Sequence, residues 1–475
     1  MPLKILALII RGTMTTVEPK DSRQKLRPPG INVEPETPEA VSAQLTPKEK
    51  RKVIVGVGIG NALEWYDWTA YSVFAAYFAG QFFLNDVPIT ALLGTFAIFA
   101  AGFLMRPLGG LLFGWLADRN GRRNAMTLAM IITAGGSLLI GISPTYDVIG
   151  PVAALFLLTG RLMQGLGHGG EVVSSFTYVT EMAPGKRRGL WSSTVFVFVT
   201  LGVMTATILA ALLTSTLGVG AVTEWAWRVP FILGGVVGVY GLYLRRSLDE
   251  TPLFKAKQQT AASSADNNAP KSRIPWREIW KYRNACLRIM ALAAGGTVLY
   301  YVWSIQAPSF AIGTLGMDPG PVMWIATGAN VFFIICLVFW GWLSDKVGRK
   351  PNWYFFAIGT ILLVIPLNLV LTGGDGESWR LVVFMFTGML LVSAPTAIMP
   401  AFFPEQFPTH IRAIGMGLPY SVAAALTGGT APYLQTWLYD IGMPRTFDIY
   451  LMVLCALVLV AAAVSPETRG KPLEK

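Results

Sequence analysis

A ten-residue segment occurs twice in this chain, and each copy lies between long apolar stretches. Residues 114–123 read GWLADRNGRR and residues 341–350 read GWLSDKVGRK, so that six of ten positions are identical and two more exchange Arg for Lys. A second motif, Glu-x-x-Pro-x-x-x-Arg, begins at Glu181 and again at Glu405. The sequence therefore predicts two homologous membrane bundles around a central site, because duplicated halves are a common architecture of secondary transporters.

The composition is that of a chain whose main solvent is lipid. Of 475 residues, 53% are hydrophobic and 14% are charged, whereas soluble domains carry about 25% charged residues. A spanning helix needs roughly 20 mostly apolar residues. The apolar stretches predict an all-α membrane protein with twelve transmembrane helices, at about 53–84, 90–117, 124–143, 149–182, 187–217, 225–245, 286–313, 320–344, 351–372, 378–404, 410–439 and 446–464.

The basic residues fall in alternate loops, which argues against a nucleic-acid-binding surface in spite of the net charge of +11. Clusters of Lys and Arg follow the second, fourth and eighth predicted helices, while the opposite loops are mainly acidic. By the positive-inside rule, both termini are cytoplasmic. We therefore expect a monomeric, multi-pass protein of the inner membrane, whose surroundings are the lipid bilayer and which has no nucleic-acid partner.

Polar stretches divide the chain into parts. The first 50 residues have little periodicity, and the segment after the sixth helix is rich in Ala, Ser, Asn and Pro, as in a flexible connection. The predicted parts are a disordered cytoplasmic tail (1–50), an N-terminal six-helix bundle (51–246), a cytoplasmic linker (247–283), a C-terminal six-helix bundle (284–466) and a cytoplasmic tail (467–475).

Charges inside membrane helices are costly and normally face a cavity or a partner. Glu64 and Asp67 are three residues apart and share a helix face. At about 1.5 Å per residue, Asp67 lies about 21 Å from the cytoplasmic end of helix 1 and Arg161 about 18 Å from the outer end of helix 4, so their depths coincide. We predict proton coupling by Asp67, Glu64 and Arg161, because a carboxylate regains proton affinity when its arginine turns to an anionic substrate. The alternative is a permanently closed Asp67–Arg161 pair that only fixes the two helices.

A polar stripe follows helix 4 through Arg161, Gln164, His168 and Glu171, at spacings that place it on one face, and it is expected to line the cavity. Arg106 needs an anion, for which a substrate carboxylate and Glu171 are equally good candidates. His168 is either a proton relay or a packed side chain.

The second half offers polar groups of another kind. From Ile289 to Ser344 the only formal charge is Asp318, in a loop, so that aromatic, hydroxyl and amide groups remain for orienting a ligand. The alternative places the tyrosines at the outer membrane interface. The predicted substrate-binding residues of both halves are Arg106, Arg161, Gln164, Tyr300, Tyr301, Gln306 and Asn330.

Acidic residues in the basic cytoplasmic loops predict a gate, because anchoring in the membrane needs no acid. Such a network can hold one state and release it when the bundles rock. The predicted gate residues are Asp118, Arg122, Glu171, Glu181, Arg188, Glu250, Asp345, Arg349, Glu405, Arg412 and Glu467.

The duplicated decapeptide resembles the signature of the major facilitator superfamily. Residues 60–67, 103–110 and 161–171 are similar to the metabolite:proton symporter family within it, whose members carry 2-oxoglutarate, citrate, shikimate, or proline and betaine. Residues 99–126 and 224–231 look closest to members that carry 2-oxoglutarate. Within the superfamily that it resembles, related sugar:proton symporters carry an Asp at the position that matches Asp67 and an Arg at the position that matches Arg161.

These features together predict a symporter that imports a small organic anion with protons, a dicarboxylate such as 2-oxoglutarate, with no cofactor and no metal site. The alternative within transporters is a zwitterion of the proline/betaine type or a shikimate-like acid. A polytopic membrane enzyme fits poorly, since His168 and His410 are the only histidines and no catalytic pairing has suitable spacing. A channel would leave the duplicated gate motifs unexplained.

Overall fold

Twelve long helices cross the molecule in the computed structural model, which describes residues 47–83, 88–120, 122–246, 276–374, 376–408 and 411–473. No strand occurs in these ranges. The helices, α1 to α12 in chain order, are Pro47–Phe82, Pro88–Asn120, Arg122–Gly141, Val152–His168 with Glu171–Met182, Arg188–Ala221, Arg228–Arg246, Arg283–Tyr300 continued to Gly313, Pro319–Val347, Lys350–Thr372, Ser378–Phe402, Arg412–Ala423 continued to Asp440, and Pro444–Val464. The prediction of an all-α protein with twelve transmembrane helices is confirmed.

Within the described ranges, seven of these spans are long and apolar enough, by length and composition alone, to cross a membrane. Two further spans contain shorter apolar helices, Thr127–Gly141 in α3 and Arg228–Val239 in α6. Helix α1 carries Glu64 and Asp67, and α4 is broken at Gly169-Gly170. The predicted ends agree with the structure within four residues, except that α1 begins six residues earlier.

The same helix pairs pack in both halves. Helix α2 packs on α4, α3 on α4 and α3 on α6, while in the second half α8 packs on α10, α9 on α10 and α9 on α12. The halves meet along α5 and α8, and through contacts of α2 and α4 with α11 and of α4 with α10. The duplication seen in the sequence is thus a duplication of packing.

Glycines bring α2 and α4 into backbone contact. A Cβ on Gly165 would lie 1.9 Å from the carbonyl oxygen of Gly102, so no larger residue fits at this crossing. Gly102 lies one turn before Arg106, and Gly165 one turn after Arg161. The contact therefore places the two arginines on facing surfaces.

Helix α7 changes to a π-helix over Tyr301–Gln306 and continues as Ala307–Gly313. Pro308 has no N–H for the carbonyl of Ser304, four residues earlier, which favours a local change of helix type. Short π segments are frequent at functional sites. This one carries Tyr301 and Gln306 into the centre of the molecule.

Candidate functional site

The strongest charge contact at mid-membrane joins α1 and α2. Nη2 of Arg106 lies 2.5 Å from Oε1 of Glu64, and both side chains are buried. The sequence left the anion for Arg106 open between a substrate carboxylate and Glu171; in the structure Glu64 occupies this place. Glu171 begins the second segment of α4, is partly buried, and is close enough to Glu64 for their charges to interact.

Arg161 reaches Asp67 through two intermediates. Its Nη1 donates to Oε1 of Gln164 at 2.7 Å, and Nε2 of Gln164 donates to the Ser137 hydroxyl at 2.7 Å. Ser137 in turn lies beside the Asp67 carboxylate, and the charges of Asp67 and Arg161 interact. The two residues therefore share one depth, as expected, but the structure links them by a chain rather than by the direct ion pair that the sequence suggested. Ser137 on α3 was missed, because nothing in the sequence distinguishes it from other helix serines.

Both arginines lie against one indole ring. The guanidinium carbon of Arg106 is 4.5 Å, and that of Arg161 4.1 Å, from the centroid of the fully buried Trp68 ring. Nε1 of Trp68 donates to Nδ1 of His168 at 3.1 Å. His168 is therefore a packed acceptor in this structure, which is one of the two alternatives left open.

Several buried polar atoms on α1, α2, α4, α7 and α8 lack a hydrogen-bond partner within the described part of the chain. Unmatched buried polar atoms are expensive in a protein interior, so these atoms are candidates for binding a polar ligand or protons. They are Nε and Nη2 of Arg161, Nε of Arg106, Oε2 of Glu64, Oδ1 of Asp67, the hydroxyls of Tyr300, Tyr301 and Ser304, both amide atoms of Gln306, and Oδ1 of Asn330.

The tyrosines of α7 face the first half rather than lipid. Tyr300 packs edge-on against Trp65 with ring centroids 5.3 Å apart, and Tyr301 packs edge-on against Phe103 at the same distance. Both are buried, so the alternative that they are outer-interface aromatics is wrong. They contribute to the aromatic surface between the two halves.

The halves are closed around a residual cavity of about 10 Å³. Trp65 and Phe196 line it from the first half. The second half contributes Met399 and Tyr420, which sequence reasoning missed because their helices carry no mid-membrane charge. On the outer side, the hydroxyl of Ser309 donates to the carbonyl of Ser72, which joins α7 to α1.

A larger cavity, about 60 Å³, lies at the outer ends of α7, α9, α11 and α12, away from the arginines. It contains the buried Asp448, which accepts hydrogen bonds from Asn368 and from Nη1 of Arg445, the latter at 3.1 Å. Because both carboxylate oxygens are engaged by neighbouring helix residues, we assign this acid to fastening α9 to α12.

At the cytoplasmic end, ion pairs cross between the halves. Arg412 lies 2.7 Å from Glu181, and Arg188 lies 3.2 Å from Glu405. Nη2 of Arg349 also lies 3.6 Å from Oε1 of Glu405. Glu405 therefore joins a base of the first half and a base of the second.

Asp345 caps the start of α5. Its carboxylate accepts from the backbone N–H of Gly189 at 2.8 Å and of Leu190 at 2.9 Å, and it pairs with Arg349 at 2.9 Å. A carboxylate is favourable at a helix N-terminus, where backbone N–H groups lack partners. The acid of the repeated decapeptide thus binds the opposite half.

The C-terminal segment also contacts these ion pairs. Glu467 accepts backbone hydrogen bonds from Arg349 and Lys350, and the Thr468 hydroxyl donates to Glu405 at 2.5 Å. Gly348 has φ of +108°, a conformation that favours glycine, and a Cβ there would lie 2.7 Å from Oε2 of Glu467. The side chains of Asp118 and Arg122, and all of Glu250, lie outside the described residues.

Burial alone would raise the pKa of the Glu467 carboxyl. The backbone N–H groups of Arg349, Arg469 and Lys350 outweigh that effect by stabilising its charged form, so that the pKa lies below its ordinary value. Glu467 is therefore bound as a carboxylate at neutral pH.

A duplicated twelve-helix membrane protein with a buried polar centre, and with ion pairs that join its halves on one side, has the design of a secondary transporter. The sequence model of the Major Facilitator Superfamily matches residues 57–418 and 292–475. The alpha-ketoglutarate permease of Escherichia coli is 35% identical over 92% of this chain and 99% of its own length. The chain belongs to the major facilitator superfamily.

Other relatives carry different names. The proline/betaine transporter of Escherichia coli is 30% identical over 89% of this chain and 85% of its own length. Among solved structures, a D-xylose-proton symporter matches with a TM-score of 0.64 at 20% identity, covering 89% of this chain and 100% of its own. The inward open conformation of the xylose transporter XylE from E. coli matches with a TM-score of 0.62 at 18% identity, over 89% and 97%. These structural matches concern the fold alone.

Proposed function

We propose that this protein is a proton-coupled symporter that imports a small dicarboxylate, such as 2-oxoglutarate, through the inner membrane by alternating access. The observation that carries the proposal is the pair of buried guanidinium groups on the Trp68 ring, Arg106 and Arg161. Arg161 has two nitrogens without a hydrogen-bond partner in the described part of the chain. Two cations at mid-membrane suit a dianion, and each guanidinium can bind a carboxylate with two parallel hydrogen bonds.

Coupling follows from exchange of partners. A substrate carboxylate that binds Arg106 replaces Glu64, which then lies buried without a counter-charge and takes up a proton. Asp67 can carry a second proton, since it already has one oxygen without a partner. A dianion that binds with two protons adds no net charge, so the loaded site can be closed off from water on both sides at the lowest electrostatic cost.

Alternating access requires that the ion pairs between the halves at the cytoplasmic side separate when the contacts at the outer side form. It also requires that these ion pairs form again when the outer contacts separate. The Glu181–Arg412 and Arg188–Glu405 pairs stabilise the closed inner side.

The predicted domain boundaries, the monomeric state and the coupling and binding roles of the named residues belong to this proposal.

A second candidate substrate is a zwitterion of the proline/betaine type. The relatives of that name support it, and Glu64 or Asp67 could face an ammonium group. A single carboxylate, however, can bind Arg161 and leave the Arg106–Glu64 pair in place, so that Glu64 is not released to take up a proton. We therefore place the dicarboxylate first.

The test is uptake by the purified protein in liposomes with an imposed proton gradient, acidic outside. We expect labelled 2-oxoglutarate to accumulate above equilibrium, and a protonophore to abolish accumulation. Accumulation of proline or betaine in place of dicarboxylates would favour the second candidate. Uptake that ignores the gradient would contradict proton coupling.

A further inference from the structure

One buried ring fixes the relative position of the two central cations. Arg106 and Arg161 approach the same indole, that of Trp68, while the Phe103 ring lies 4.0 Å from it, centroid to centroid. Each cation is held by the ring's negative face. The place of the indole therefore sets the separation of the two guanidinium groups.

The indole itself is held by a hydrogen bond. Trp68 has one donor and no acceptor, and this donor binds Nδ1 of His168. His168 is in turn fixed to α2, because a Cβ on the adjacent Gly169 would lie 2.1 Å from the carbonyl oxygen of Arg106. The ring cannot turn without breaking this bond or opening the α2–α4 contact.

We infer that Trp68, anchored by His168, is a positioning residue that selects dicarboxylates by chain length. The inference rests on the proposed function. A dicarboxylate engages both guanidinium groups when the spacing of its carboxyl groups matches their separation, which the shared ring fixes, and the five-carbon 2-oxoglutarate of the proposed function is the reference length. A dicarboxylate that is one carbon shorter or longer makes poor hydrogen bonds with one of the two guanidinium groups, so that this group and one ligand carboxylate are left unpaired.

Selectivity can be measured apart from transport rate. Labelled 2-oxoglutarate bound to the purified full-length protein is displaced with malonate, succinate, glutarate and adipate, and the same series inhibits uptake in liposomes. In the wild type we expect glutarate to displace best. In Trp68→Phe, which keeps a ring but loses the anchoring N–H, we expect its preference over succinate and adipate to fall about tenfold, the effect of one methylene in a fitted site.

The anchor is tested separately. His168→Leu removes the acceptor and should reduce the preference as Trp68→Phe does, whereas His168→Gln retains an acceptor and should restore most of it. Trp227→Phe is the matched control: Trp227 is also fully buried with an arginine, Arg228, 4.3 Å from its ring centroid, but it lies outside the central site. Its preference should equal that of the wild type.

Wild-type preference in both Trp68→Phe and His168→Leu would overturn the inference and leave the proposed function intact. If Trp68→Phe does not reach the membrane, the comparison of His168→Leu with His168→Gln decides, and equal preference in these two also overturns it. A wild-type protein that binds neither 2-oxoglutarate nor any of the four dicarboxylates refutes the proposed function itself.

Discussion

Glu181 in the first half pairs with Arg412 in the second at 2.7 Å, and both residues come from copies of the same Glu-x-x-Pro-x-x-x-Arg motif. The other two charges of the motifs, Arg188 and Glu405, pair with each other across the same boundary. Each copy thus supplies the acid for one bridge and the base for the other. This reciprocal pairing makes the closed cytoplasmic side depend on both halves.

The Glu181–Arg412 pair should stabilise the inward-closed state. Arg412 also binds the carbonyls of Pro404 and Phe407, so it stays in place when the acid is removed. We expect Glu181→Gln to cost the closed state about 1–3 kcal/mol, because it removes a charge-assisted hydrogen bond to a buried arginine. The measurement is labelling of an introduced cysteine in the cytoplasmic half of the central cavity.

The control for this variant is Glu377→Gln, which removes an exposed ion pair with Arg380 at the outer end of α10. We expect the introduced cysteine to be labelled in Glu377→Gln to the same extent as in the wild type. Equal labelling in Glu181→Gln and the wild type would show that the bridge does not bias the two states.

Gly189 permits the close approach of α5 to α8. A Cβ there would lie 2.3 Å from Nη1 of Arg349 and 2.7 Å from the carbonyl of Gly341. Gly189→Ala should therefore prevent full inner closure and trap the inward-open state, with uptake reduced at least tenfold. Gly220→Ala, where no atom lies within 4 Å, is the matched control and should transport normally. Normal uptake by both variants would contradict the role of this contact.

Glu64 is expected to couple transport to protons. Glu64→Gln keeps the shape of the side chain but cannot take up a proton when the substrate binds Arg106. We expect loss of accumulation against a gradient with substrate exchange retained. Retained accumulation would show that Glu64 is dispensable for coupling.

Asp67→Asn tests the second acid in the same two assays. The hydrogen-bond chain through Ser137 and Gln164 allows an amide in place of the carboxylate, so the protein should fold. We expect accumulation to fall while exchange persists. Loss of folded protein, together with loss of exchange, would instead support a purely structural role for Asp67.

The hydrogen bonds that the Glu467 carboxylate accepts from the backbone of Arg349, Lys350 and Arg469 should weaken in acid. Its pKa lies below the ordinary value, so its contribution is complete above the pKa of a free glutamate and is lost as pH falls through the lower, folded-state value. We expect Glu467→Gln to reduce thermal stability at pH 7 and to have little effect at low pH. A difference that is the same at both pH values would contradict this assignment.

Much of the architecture could be predicted because membrane insertion depends on local composition. Hydropathy located all twelve spans, and the repeated motifs contain the charges of the two ion pairs, Glu181 with Arg412 and Arg188 with Glu405. Helical spacing also gave the common depth of Asp67 and Arg161. The tyrosines of α7 were predicted as ligand-binding groups, and their burial against the first half agrees with a place in the central site.

The amino-acid order by itself determined which segments cross the bilayer, at what depth each charge lies, and that the two halves are copies, because these depend on residue type and on rise per residue. Only the tertiary structure decided which charges meet. The rotation of one helix against another is set by contacts such as that of Gly102 with Gly165. As a result, Arg106 pairs with Glu64, and Arg161 is linked to Asp67 through Gln164 and Ser137.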